Sequence, residues 1–494
     1  MLFRSKCKLG KTKGGQKTWL WLAMVMTAVF ALLSFVIGLN QSIWFDEAYS
    51  VNLAQRSVGE IISLTAVDVH PPLYYLFLKV WGEVFGFNEV ALRCSSVFLM
   101  SLAVFLAIGL AKILAGEKVA QIASMLLALS PMLIRYGFEL RMYALGVLIG
   151  VVATLVLWKI LQTQQGKKRR VLEIVYAGLV AMGVWTLYYI VIIWFAHLLY
   201  LIYRSKKQGR KVWRERYWLI YGLAILMFLP WLSVFWGQLV NGTLAPVTET
   251  LNLANLLGIV SFNLFYRPIW QLDQILSLLS LALTAMLIVW RSNKKNMVDE
   301  SKIFLRFLVI SPIILEFLIC LVKPIYLERY LVYLVPFMII YLAVVLKEMR
   351  HTDLVVGYLI LLLMIGVVQL VQVGNYNFQR LQKPEIKRVV VQLNNEAKIP
   401  IIADTPYEAI ELRAYQKESI YFYAPYEKLA GGYAPLDQDE LKIAKEENIP
   451  DLDCFWYVYY EGLMKKMLQA KGYKAVGQAE DLKGLKYLRM CKAQ

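Results

Sequence analysis

The sequence predicts an all-α polytopic membrane protein that ends in a small α/β domain. Three observations predict it: 59% hydrophobic content with mean hydropathy +0.53 over 494 residues, apolar runs long enough to cross a bilayer separated by short basic loops, and a change to mixed charge beyond about residue 380. An ordinary soluble domain is excluded by this composition. A net charge of +18 would suit a nucleic-acid binder, but the basic residues sit in the loops with no recognition motif around them, so no nucleic acid partner is expected. Topology accounts for the charge better.

The first run, Thr18 to Leu39, is long enough to span, and no small-residue cleavage site follows it, so it reads as a span and not as a removed signal. Before it, Arg4, Lys6, Lys8, Lys11, Lys13 and Lys17 stand without an acid, placing this basic stretch (1–18) in the cytoplasm. The first loop (40–90) is then outside. A second span near 90–111 and a third ending about Leu133 flank a cytoplasmic turn at Lys112 and Lys118; the outer turn 135–143 leads to a fourth span ending in Gly166-Lys-Lys-Arg-Arg170. The apolar stretch from Val171 to Tyr203 is too long for one untilted helix and is split into two spans at Thr186-Leu-Tyr-Tyr189. That split also keeps the basic loop Arg204 to Arg216 inside. A seventh span begins at Tyr217, an outer loop reaches about Gln271, an eighth ends at the basic loop 291–295, a ninth ends at Lys323, a tenth at Lys347 and Arg350, and an eleventh runs from Leu354 to about Val373. The membrane domain is thus expected over 19–375, with about 11 transmembrane helices.

From 380 to 494 short apolar runs read as strands at Ile399 to Ala403, Ser419 to Tyr423, Cys454 to Tyr460 and Leu485 to Met490. Helix-like stretches lie at Glu385 to Lys398, Tyr407 to Tyr415 and Gln438 to Glu447. This tail should lie outside the membrane on the outer side. Asp404-Thr-Pro-Tyr407, after the first strand, lacks the glycines of a phosphate cradle, so a dinucleotide site is not expected. The domain reads as substrate-shaping or partner-binding, or as a structural cap. Five cysteines show no metal-ligand spacing; Cys454 and Cys491 either pair across two strands or stay buried thiols, and a Cα separation above about 7 Å would exclude the bond.

The chemistry is concentrated just outside the first span, in Trp44 to Ser57. Trp44, Ala48 and Val51 recur at helical spacing, so this stretch can lie as a surface helix with Asp46 and Ser50 turned away from the apolar stripe. Two adjacent carboxylates, Asp46 and Glu47, need cations nearby, and the other outer loops supply them. His70, Arg135, Glu139, Arg141, Tyr188, Tyr189, Arg267, Lys323, Tyr326, Glu328, Arg329 and Tyr330 all fall on the same side. Arginines in a low-dielectric cleft can bind a phosphate while a carboxylate takes a proton from an incoming hydroxyl. Each Arg or Tyr alone reads as an interfacial anchor. Together they read as a site.

Trp44-Phe-Asp-Glu47, His70-Pro-Pro-Leu-Tyr-Tyr75, Leu92-Arg93, Glu139-Leu-Arg-Met-Tyr143 and Arg329-Tyr-Leu331 resemble the pattern of polyprenyl-phosphate-sugar-dependent glycosyltransferases of the GT-C fold, the group of protein O-mannosyltransferases and lipid A aminoarabinose transferases. The resemblance covers roughly residues 19–345. It implies a membrane glycosyltransferase of the plasma membrane that moves a sugar with inversion from a polyprenyl-phosphate donor to a lipid, glycan or protein acceptor. It further implies Asp46 as general base and Glu47 orienting the acceptor, with Lys79, His70, Arg141, Tyr143, Glu139, Arg329 and Tyr330 near the donor phosphate or substrate. No cofactor is required by this reading, although a divalent cation on Asp46 and Glu47 is left open. The chain lacks the inserted β-trefoil domain of eukaryotic O-mannosyltransferases, which leaves the acceptor unassigned. Two other classes compete: a lipid-linked-sugar transporter or flippase, which calls for inverted repeats and broken helices, and a non-catalytic scaffold, in which Asp46 and Glu47 are dispensable.

Overall fold

The computed structural model describes residues 15–240, 300–322, 328–349, 352–374, 385–396, 398–415, 419–426, 429, 431–436, 439–482 and 484–493. The basic segment before residue 15, the loop containing Arg267, the eighth span with its 291–295 loop, and Lys323, Tyr326 and Arg350 lie outside the described residues.

The membrane part is built from α1 (Gly15–Leu39), three short helices α2 (Phe45–Ala54), α3 (Val58–Ala66) and α4 (Leu73–Phe85), then α5 (Glu89–Ala115), α6 (Glu117–Ala128), α7 (Pro131–Gly137), α8 (Tyr143–Gln162), α9 (Lys167–Thr186), α10 (Val191–Lys207), α11 (Tyr217–Val240), α12 (Glu300–Val322), α13 (Val335–Lys347) and α14 (Thr352–Gly374). Helices therefore stand at ten of the eleven expected spans. By length and apolarity alone, seven of the described helices can cross a membrane, or eight if α6 and α7 count as one span. α9 falls short because Lys167, Lys168, Arg169, Arg170 and Glu173 crowd its first two turns. The third span is not continuous as expected: it bends by 57° between α6 and α7, where Ser130 caps α7 through the Leu133 amide and Pro131 supplies no donor to prolong α6.

The expected splits are present where the chemistry demands them. Gly116, at φ +90°, breaks α5 from α6 in a conformation that favours glycine. Leu187 is extended and ends α9 before a 3₁₀ turn at Tyr188–Ile190 restarts the chain as α10.

Hydrogen bonds assign the helix ends to two sides. At one end, Lys387 of the tail bonds the α1 carbonyl of Leu39, Arg93 at the start of α5 bonds Gln41, and Gln238 near the end of α11 bonds Asp68. At the other, Thr18 bonds Glu117, Lys347 bonds the Ala115 carbonyl, and Arg204 pairs with Glu300. The Asp46 loop and the tail share the first end; the basic loops after α5, α8 and α10 share the second.

The tail is a mixed six-stranded sheet of order β3-β2-β1-β4-β6-β5, with β1 (Ile401–Ala403), β2 (Ile420–Tyr423), β3 (Lys442–Ile443), β4 (Cys454–Tyr459), β5 (Tyr473–Leu482) and β6 (Leu485–Lys492). Its helices are α15 (Ile386–Glu396), α16 (Pro406–Arg413) and α17 (Lys465–Ala470). β1, β2, β3 and β4 pair in parallel and β4, β6 and β5 antiparallel. The α/β class holds, but of the helix expected over Gln438 to Glu447 the described residues 439–447 hold β3 instead, whose short run pairs with Phe422 and Tyr423. β5 carries too few apolar residues, eight of its ten being exposed, to be read as a strand from pattern alone. Cys454 and Cys491 are register partners on β4 and β6, Cα 4.1 Å apart, and form a disulfide. Asp404, after β1, accepts from the backbone amides of Gly462, Leu463 and Met464 and from the Tyr457 hydroxyl, so the place where a phosphate would be cradled is filled by the chain's own carboxylate.

Candidate active site

The helix expected over 44–57 forms as α2, with Ala48 and Val51 buried as the stripe predicts. It differs in its surroundings. α2 does not lie on a lipid surface but is covered by the tail, and Ser50, expected to face away, is buried against Arg141. Phe45 stacks on Tyr407 of α16 at 5.0 Å and packs against Tyr433. Asn52 donates to the Ile410 carbonyl, and the Ile43 amide donates to the Tyr415 hydroxyl, 2.6 Å away. A side chain at Gly432 would press on the Phe45 ring at 3.0 Å, which explains the bare backbone there. The tail thus fixes the position of the Asp46 loop.

Asp46 keeps its carboxylate at the cleft, about one-fifth exposed, and Arg329 reaches it with Nη1 3.2 Å from Oδ2. Arg329 lies over the faces of Trp44 and Tyr330, each 5.8 Å from the guanidinium carbon. Arg141 is buried beside this pair. It donates to the Asp46 carbonyl (3.2 Å), the Ser50 hydroxyl (3.4 Å), the Tyr75 hydroxyl (3.2 Å) and Nδ1 of His70 (3.4 Å), all uncharged acceptors. Its Nε finds no partner. A buried guanidinium bonded to no carboxylate leaves its charge unneutralised by contact, a setting that attracts an anion. His70 also sits 3.6 Å from Asp68. Burial, and then the Arg141 charge, push the imidazole below its usual pKa, so it is neutral and can accept from Arg141. Asp68 is held below the ordinary carboxylate range despite burial, by His70 and Arg141. Tyr330 stacks on Tyr189 at 4.6 Å, and Tyr143 packs edge-on to Tyr136 at 5.1 Å.

Glu47 is placed otherwise than expected. Its carboxylate is fully buried behind α2, taking Arg93 Nη1 at 2.8 Å, the Leu140 amide at 3.1 Å and the Trp44 amide at 3.4 Å. It cannot orient an acceptor from there; it ties α2 to α5 and to the 138–142 turn. As a ligand pair for a divalent cation, Asp46 and Glu47 do not fit in this arrangement, because Arg329 holds one and Arg93 the other. Among the described residues no group of three His, Cys, Asp or Glu side chains is set to hold a metal. Glu139 is likewise buried, bonded by Arg135 (2.6 Å) and by the Trp44 indole (3.1 Å), so it supports the site from behind. Lys79 is drawn to Glu83 on its own helix, 2.7 Å away, and touches none of the others. Sequence reasoning missed Asp68 and Tyr75 as members of the cluster, although the Asp68-Val-His70 spacing and the quoted Tyr74-Tyr75 pair held the signal.

This fold and this cluster define a membrane protein of the GT-C fold, the architecture of membrane glycosyltransferases that use polyprenyl-phosphate-linked sugars. Residues 69–234 match the sequence model of the family described as dolichyl-phosphate-mannose-protein mannosyltransferase. Among solved structures the chain is similar to ArnT from Cupriavidus metallidurans bound to undecaprenyl phosphate, at 12% identity and TM-score 0.63, covering 94% of this chain and 97% of that one. It is also similar to the oligosaccharyltransferase AglB from Archaeoglobus fulgidus, solved with an inhibitory peptide and a dolichol-phosphate, at 10% identity and TM-score 0.52, covering 94% and 74%. No curated protein sequence matches the chain.

Proposed function

We propose that this chain is a membrane glycosyltransferase that moves a sugar from a polyprenyl-phosphate carrier to an acceptor hydroxyl, with inversion at the anomeric carbon. The observation that carries it is the pairing of a partly exposed Asp46 with two arginines, one of which, Arg141, bonds only uncharged groups. Asp46 is the general base; Arg141 and Arg329 hold the departing phosphate, and Tyr143 and Tyr330 line the donor. Because Asp46 is already beside Arg329, a donor phosphate taking that guanidinium frees the carboxylate for the acceptor proton. A glycosidase would need a second carboxyl across the sugar, and Glu47 is turned away into the protein. The basic loops at the opposite end of the bundle support an N-terminus in the cytoplasm of a plasma membrane, with the site and the tail on the outer side. The acceptor is a lipid, glycan or protein hydroxyl. The test is transfer of labelled sugar from polyprenyl phosphate to endogenous acceptor in membranes holding equal amounts of wild type and Asp46→Asn. A fall of about 10²–10⁴ is expected for loss of a general base, and wild-type rates would sink the assignment.

A further inference from the structure

At the end of the bundle opposite Asp46, a cavity of about 330 Å³ opens among α8, α9, α10 and α11. Four arginines from separate stretches of chain line it, Arg169, Arg204, Arg210 and Arg216. Glu173 is shared between two of them, 3.0 Å from Arg169 Nε and 2.6 Å from Arg216 Nη2. Arg210 pairs with Glu215 at 3.1 Å and Arg204 with Glu300 at 2.6 Å. Among the described residues four guanidinium groups therefore face three carboxylates, and the sharing of Glu173 leaves one positive charge over. Arg210 and Arg216 are both nearly half exposed and present donors outward. The inner wall is apolar, formed by Leu157, Leu161 and Ile220. Beside the mouth, Trp213 is 72% exposed and Trp218 donates its indole N–H to the Val212 carbonyl, the disposition of aromatics that rest at headgroup depth.

We propose that this cavity binds the phosphodiester headgroup of an anionic membrane phospholipid, its acyl chains leaving along the apolar wall. The unmatched charge equals that of one phosphodiester, and guanidinium forks suit its oxygens. A water occupies about 30 Å³, so the volume admits a phosphate with its glycerol and not the phosphate alone. Basic pockets between helices at a membrane face are where anionic lipids settle. The site is separate from the Asp46 cleft, and nothing in it depends on sugar transfer.

The test uses the full chain, stripped of lipid in detergent and followed by native mass spectrometry while phosphatidylglycerol, phosphatidylcholine or inorganic phosphate is added. Wild type should retain phosphatidylglycerol at least about tenfold better than phosphatidylcholine. Arg210→Gln with Arg216→Gln should bring the two lipids to within about twofold, while Lys206→Gln with Lys207→Gln, an equal charge loss outside the cavity, should keep the preference. Should the arginine pair fail to fold, Arg210→Gln alone, in an exposed loop, carries the same comparison. Equal retention of both lipids by wild type, a preference surviving the arginine changes, or an equal loss in the lysine control would overturn the proposal. So would displacement of the lipid by inorganic phosphate at matched concentration, which would make it a site for free phosphate.

Discussion

Arg329 and Asp46 lie 283 residues apart in the chain and 3.2 Å apart in space. That contact joins the turn before α13 to the first loop, and it sets how the carboxylate waits for substrate. Removing the cation should therefore act both on Asp46 and on the donor phosphate that Arg329 is proposed to hold. Arg329→Gln is expected to lower transfer by about 10–150-fold, from the loss of a charged hydrogen bond of about 1.5–3 kcal/mol. Combined with Asp46→Asn it should cost less than the product of the two single losses, because the two side chains are in contact. Rates of the two single variants and the double, measured in one membrane preparation, decide it. Fully multiplicative losses would show that Arg329 works independently of Asp46.

Glu47 calls for a different outcome. With both side chains fully buried, Glu47→Gln leaves Arg93 without its principal charge partner, and breaking a buried pair costs about 3–5 kcal/mol. The variant should lose folded protein in detergent far more than it loses turnover per folded molecule. Replacing both, Glu47→Leu with Arg93→Met, should recover part of that stability: the Glu47–Arg93 pair is removed whole, while Glu89, which also bonds Arg93 Nε at 3.0 Å, keeps Lys387 at 2.9 Å. Fluorescence-detected size exclusion on heating reads the first effect. A stable Glu47→Gln with greatly reduced turnover would instead return Glu47 to the cleft.

The difference between Asp46 and Glu47 also shows what the sequence could and could not reveal. Span positions among the described residues, the 186–189 break and the strands β1, β2, β4 and β6 were legible because apolar runs and basic loops report local burial directly. The two strand ends raised the Cys454–Cys491 pairing only beside the alternative of buried thiols, and the β4–β6 register decides it. Neighbouring carboxylates, however, differ by about 100° of helix rotation, and only the packing of α2 between α5 and the tail turns one inward and leaves the other at the cleft. The docking of Tyr407 and Tyr433 on Phe45 joins segments more than 350 residues apart, which no periodicity encodes. β5 was invisible for the plain reason that an exposed edge strand needs few apolar residues.

The contact between tail and loop should depend on pH. Burial pushes Glu408 up to about 7, and burial together with the Glu408 charge holds Glu411 well above the usual carboxylate range. Unfolded, both acids release their protons near pH 4.5, whereas folded they keep them to higher pH. The folded form thus binds more protons from about pH 4.5 to about 7, and stability falls as pH rises through that window, by about 1.4 kcal/mol for each unit of upward shift. The tail should resist protease better at pH 5.5 than at 7.5, and Glu411→Gln should flatten the difference. A variant as pH-dependent as wild type would locate the effect elsewhere.

Arg141 offers the sharpest separation of donor binding from chemistry. It is buried and already bonded to four uncharged acceptors, so Arg141→Ala removes a charge without stranding a carboxylate that touches it. If it holds the donor phosphate before and during transfer, its loss should raise the apparent KM for the polyprenyl-phosphate sugar by about 10–150-fold, the scale of one charged hydrogen bond, and change kcat less. Arg141→Lys keeps the charge but not the fork, and a compact ammonium cannot reach the Asp46 carbonyl, Tyr75 and His70 together. It should recover only part of the affinity. His70→Leu makes a useful companion, since it removes an acceptor of Arg141 while leaving the guanidinium in place, and should shift KM in the same direction by a smaller factor. Initial rates against donor concentration at saturating acceptor give both constants. An unchanged KM with collapsed kcat in Arg141→Ala would assign the guanidinium to the transition state alone, and unchanged values of both would remove it from the site.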